Sequence, residues 1–184
     1  MAGHFPGLGS ANQPTDDGPA AVRSSMGQVS AMDLPPFRAA IRSGVPAVLL
    51  SLAAYEPDDF VTPGALSRSI VTGLLRGRLG FHGIAMTDDL TSGAITALMP
   101  VPQAAVQAVH AGADMVWISG PASLQRQASS AILAAVRAKK IPQSRIDEAV
   151  IRILAVKGEL GLGSRPLPRV PKPAVPGAPV LPSG

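Results

Sequence analysis

Apolar positions along the chain fall into two alternating rhythms. Short, nearly unbroken runs rich in β-branched residues read as buried strands: VPAVLLSL at Val45–Leu52, GIAMT at Gly83–Thr87 and ADMVWIS at Ala113–Ser119. Between them, apolar residues recur at helical spacing. In TPGALSRSIVTGLLRGRLG these are Leu66, Ile70, Val71, Leu74 and Leu75, with Thr62 expected as N-cap, Pro63 as first helical residue and Gly80 as the stop. PVPQAAVQAVHAG predicts a helix ending at Gly112. PASLQRQASSAILAAVRAKK predicts another, with lysines in its last turn to suit the helix dipole. A final helix is expected from Pro142 and Ser144 onward, its apolar face formed by Ile146, Ala149, Val150, Ile153 and Val156. Upstream, MDLPPFRAAIRSG reads as a helix with Asp33 near its cap, and GHFPG as the end of a strand.

The order is strand, long loop, then strands and helices in alternation, closing with two helices. Apolar strands separated by helices predict parallel βα units. In such folds, chemistry sits at the carboxyl ends of strands. His4, Ser51 with Tyr55, Asp88 and Ser119 all fall at such ends.

Composition narrows the classes. The 184 residues suit one domain, 46% of them hydrophobic but only 3% aromatic. The net charge is +4, but Arg165, Arg169 and Lys172 supply three of those charges near the C-terminus. No basic stripe interleaved with aromatics runs through the chain, so nucleic acid is not an expected partner. With no cysteine, disulfides and thiol catalysis are excluded. No apolar run approaches the roughly 20 residues of a membrane span. No signal peptide is visible at the N-terminus, which makes a cytoplasmic location the default expectation. Residues 163–184 hold seven prolines and no acid. They predict a disordered, proline-rich tail rather than packed structure.

One feature resists the pattern: GIAMTDDL places Asp88 and Asp89 at the end of a core strand, where ions belong only if paired or used. Together with HFPGLG at His4–Gly9 and LLRGRLGFHG before it, this stretch resembles the signatures of glycoside hydrolase family 3, in its bacterial β-N-acetylhexosaminidase branch. GVPAVLLS, TPGALSRSIV, GADMVWIS and RIDEAVIRILAVKGELGL are similar to that family in order and spacing, so the resemblance covers roughly residues 3–162.

The resemblance implies a (β/α)8 barrel of which residues 1–162 match the second half, about four parallel βα units. It implies a truncated product or fragment with two open strand edges, which either pair with a second chain or leave the protein poorly folded. It implies a retaining hydrolase of β-linked sugars, N-acetylglucosaminides among them, with no cofactor. Asp88 takes the position of the nucleophile, and a carboxylate there can both stabilise oxocarbenium character and act as a leaving group. His4 takes the position of a sugar-binding histidine, although Gly3 stands where the family has lysine. The loop SANQPTDDGP lacks the family's Asp-x-His proton donor. Asp16 or Asp17 is the remaining candidate acid/base, against the plain reading of PTDDGP as a turn. Leu52 replaces a histidine often found in that branch. The alternative is a catalytically inactive family member acting as a glycan-binding or interaction module. His4, His82 and His110 are too scattered for a metal motif, and no glycine-rich stretch suits a phosphate.

Overall fold

The computed structural model describes residues 1–162. The expected proline-rich tail lies outside those residues. Four strands, β1 (Ala2–Phe5), β3 (Ala47–Leu50), β5 (Ile84–Asp89) and β6 (Met115–Trp117), form a parallel sheet in the order β1-β3-β5-β6. A parallel pair, β2 (Ala21–Val22) and β4 (Ala54–Tyr55), forms a small side sheet that hydrophobic pattern did not predict. Two residues per strand are too few to show a period. Four sequential parallel strands with helical crossovers are the predicted partial barrel, half the strand count of a closed one. β1 and β6 are its outer strands.

Register explains which residues face the helices. Val48 pairs with Ala85 and Leu50 with Thr87, and all four are fully buried. Leu49, Met86 and Met115 are in register across three strands and so share the opposite face. The helical layer on the first face begins with α1 (Met26–Gln28), capped by Ser25 in a reciprocal capping box with Gln28. It runs through a π-type segment, Val29–Asp33, into α2 (Leu34–Arg42). The helix therefore starts earlier than Asp33, whose side chain makes no cap hydrogen bond. Phe37 of α2 meets Phe5 of β1 edge to face, ring centroids 5.1 Å apart.

The next crossover also departs from expectation at its start. Asp59, not a helix, takes Thr62: its Oδ1 accepts the Thr62 N–H at 2.7 Å. A short 3₁₀ turn at Gly64–Leu66 precedes a π-type helix, Ser69–Arg78, and Gly80 follows at φ 64° as the predicted stop. After β5 come α3 (Gly93–Thr96) and α4 (Val101–Ala111), the latter ended by Gly112 at φ 121°. Helices α5 (Ala122–Arg137) and α6 (Gln143–Glu159) complete the described chain, with Lys139 and Lys140 just past the end of α5. The predicted apolar face of α6 is buried only at Ala149, while Val150 is 47% exposed.

Candidate active site

The sheet's pleat sorts the residues at the end of β5. Thr87 turns into the core, where its hydroxyl oxygen accepts the Trp117 N–H at 3.0 Å and so ties β5 to β6. Strand alternation then puts Asp88 on the opposite face. On β1, Phe5 faces the core and His4 the other side. The result is a contact over the top of β3: His4 Nε2 stands 3.2 Å from Asp88 Oδ2, with the two side chains 37% and 19% exposed. Two residues that sequence placed at separate strand ends are thus brought together.

The two neighbouring aspartates are engaged very differently. Asp89 Oδ1 accepts from Thr91 N–H at 3.0 Å, Thr91 Oγ1 at 2.9 Å and Ser119 N–H at 3.0 Å. Partial burial works against its charge, but the hydrogen bonds from Ser119 and Thr91 outweigh burial and hold its carboxyl below the usual carboxylate range. Asp89 is therefore spent on joining the ends of β5 and β6. Among the described residues, Asp88 accepts only the Asp89 backbone N–H, at 2.9 Å on Oδ1, and offers Oδ2 toward His4. A partly exposed carboxylate with unspent lone pairs on a strand's carboxyl end can act as a nucleophile or bind a polar ligand.

Asp16 and Asp17 are exposed on the loop between β1 and β2. Among the described residues, no hydrogen bond or ion pair joins either carboxylate to Asp88 or His4. Their backbone is fixed instead: Asp17 N–H donates to Pro14 O at 3.3 Å, and Asp16 O accepts from Gly93 N–H at 3.1 Å. Tyr55 is buried, and its hydroxyl donates to Gly7 O at 2.8 Å, bracing the loop that follows His4. Burial raises the Tyr55 pKa far above the ordinary phenol range, so it serves there as a neutral donor. Leu52, in the place of the branch's histidine, is buried. His82 and His110 are exposed, and among the described residues no cluster of three or more metal-ligating side chains forms.

Sequence reasoning missed the partners of Asp89. Thr91 follows it by two residues, a spacing that signals a side-chain-to-backbone turn, but Ser119 is reached only through the pairing of β5 with β6.

A carboxylate and an imidazole thus meet at the carboxyl ends of parallel strands of a partial α/β barrel, the end of such folds where ligands bind. The chain belongs to glycosyl hydrolase family 3: the model of that family's N-terminal domain matches residues 1–156. An uncharacterised secreted glycosyl hydrolase of Arthroderma benhamiae is 34% identical over 160 residues, which span 85% of this chain and 45% of that protein. A β-N-acetylglucosaminidase/β-glucosidase of Cellulomonas fimi is 34% identical over 136 residues, 68% of this chain and 24% of its own length. The solved structure of a family 3 β-N-acetylglucosaminidase from Paenibacillus superposes with a TM-score of 0.86 at 33% identity, covering 96% of this chain and 34% of that one. The chain therefore spans less than half the length of these relatives.

Proposed function

We propose that this chain carries the nucleophile side of a retaining β-glycosidase site, acting on β-linked N-acetylglucosaminides. The carrying observation is the contrast at the end of β5, where Asp89 Oδ1 takes three donors from Thr91 and Ser119 while Asp88 takes one backbone donor and lies beside His4. The sugar class is supported by the activities named for the relatives from Cellulomonas fimi and Paenibacillus.

In the first step a lone pair of Asp88 attacks the anomeric carbon. The bond from that carbon to the leaving oxygen breaks, and the leaving oxygen takes a proton from a general acid. In the second step water attacks the same carbon, gives a proton to the acid/base and releases the Asp88 carboxylate. His4 donates to a sugar hydroxyl and lines the approach to Asp88. Asp16 or Asp17 supplies the proton, the loop reaching toward the site when sugar is bound. The outer edges of β1 and β6 are where a second chain would pair to complete the barrel.

Hydrolysis of two N-acetyl-β-glucosaminides tests the acid, one with an alkyl leaving group and one with 2,4-dinitrophenol. Replacing the true donor, in Asp16→Asn or Asp17→Asn, slows the alkyl substrate about 10²–10⁴-fold and leaves the dinitrophenyl substrate nearly unchanged. If neither variant separates the substrates, both acids are excluded from the role. Sugar binding without turnover of either substrate would replace the enzyme reading with a binding module.

A further inference from the structure

The tip of the β1–β2 loop sits against the start of α3, and the contact is made of backbone. Gly93 N–H donates to Asp16 O at 3.1 Å and Ala94 N–H to Thr15 O at 2.8 Å. Both are first-turn donors, which have no partner inside their own helix. The usual supplier is the N-cap side chain. Ser92 holds that position in extended conformation, φ −64° and ψ 159°, yet its hydroxyl makes no cap hydrogen bond. It is buried, and its oxygen has no hydrogen-bond partner among the described residues. The Thr15 carbonyl thus takes the Ala94 donor that the Ser92 hydroxyl would take in a self-contained helix start, and the Asp16 carbonyl takes the Gly93 donor beside it.

The fit depends on residue 93 having no side chain. A Cβ there would lie 2.6 Å from Asp16 O, 2.8 Å from Gly18 N and 3.0 Å from Asp17 C. All three atoms are backbone, so no side chain can swing aside to make room.

We propose that Gly93 is a positioning residue: it lets the Thr15–Gly18 loop dock on α3, a few residues past Asp88, and Ser92 becomes the helix cap when the loop swings out. The docked loop carries Asp16 and Asp17, so the catalytic consequence rests on the glycosidase reading above, whereas the docking itself does not. Opening frees two helix donors, and the buried, unpartnered Ser92 hydroxyl takes up the one at Ala94, so part of the loss is offset. Closing does the reverse.

Hydrogen–deuterium exchange on the full chain tests this with two substitutions of opposite sign. Gly93→Ala is expected to speed exchange in peptides covering residues 11–20 and 91–96 by about tenfold or more, with β3 and β5 unchanged. Ser92→Ala removes the competing cap, and the same peptides should slow by several-fold. Unchanged loop exchange in Gly93→Ala overturns the proposal. If Gly93→Ala instead loosens the whole protein, Ser92→Ala decides, and a failure to slow loop exchange also overturns it.

The kinetic arm uses the two substrates above. A loop displaced by about 1 Å should cost on the order of 10²-fold on the alkyl glycoside, with little change on the dinitrophenyl one. Equal losses on both would contradict a positioning role. Absence of activity in the unsubstituted protein would count against the glycosidase reading and leave the exchange result standing.

Discussion

Asp88, on β5, and Asp114, at the entry to the neighbouring β6, sit at opposite ends of the sheet and have almost nothing else in common. The side chain of Asp114, just before β6, is completely shielded from solvent. Its Oδ2 accepts from Arg76 at 2.5 Å and from the Ala85 N–H at 3.0 Å, and its Oδ1 from Arg145 at 2.5 Å and Arg152 at 3.0 Å. Arg76 also donates to Phe81 O and Gly83 O, so one guanidinium anchors the entry to β5. Burial lowers the Arg76 pKa, against the pull of Asp114, which marks how much this cluster depends on its buried acid. Asp88, at the carboxyl end of β5, has one backbone donor, one imidazole neighbour and access to water. The same side chain is structural where every lone pair is claimed and chemically available where it is not. This matches the division of a parallel barrel into a stability face and an active face.

Substitutions can break that contrast in a graded way. Asp88→Ala should have the largest effect, abolishing turnover by about 10⁴-fold or more while folding stability, read by urea denaturation, moves by less than about 1 kcal/mol. Asp114→Ala should invert the pattern. It leaves three arginines facing a buried, emptied position and should cost about 3–5 kcal/mol of stability. If both variants lost activity through unfolding, the division would be wrong. His4→Ala should be milder, raising KM roughly 3- to 10-fold with a smaller change in kcat, as expected for one lost hydrogen bond to substrate.

The smallest effect is expected at Asp89. Its folded pKa is lowered, so the stability it contributes is fully present above the ordinary carboxylate range and is lost as pH falls through the folded pKa. Asp89→Asn should therefore be destabilised near neutral pH, and the gap to the unsubstituted protein should close in acid. A gap that widened as pH fell would contradict the assignment of Asp89 as an ionised tie between β5 and β6.

The strand order and the end of β5 were legible in sequence because they rest on local signals. Continuous apolar runs mark buried parallel strands, and TDD at the end of GIAMT is a polar interruption of an apolar strand that stands out in the sequence. The start of the second crossover was misread because Pro63 after Thr62 imitates a helix entry, while Asp59 captures Thr62 three residues earlier. The earlier helix was read too short because its true start is a capping box, Ser25 with Gln28, ahead of the apolar pattern. The exposure of Val150 on α6 and the meeting of His4 with Asp88 depend on which elements lie beside which, and periodicity carries no information on that. Gly93 belongs to the same group. Its need to lack a side chain is imposed by a loop some 75 residues earlier in the chain.

The availability of Asp88 as nucleophile can be measured directly by intact-mass spectrometry after incubation with a 5-fluoro N-acetyl-β-glucosaminyl fluoride, which traps a glycosyl-enzyme ester. A mass increase of one fluorosugar unit on the unsubstituted chain, located to the peptide containing Asp88 and absent in Asp88→Ala, is the predicted result. No adduct on a protein shown to be folded by circular dichroism, or an adduct that persists in Asp88→Ala, would contradict it.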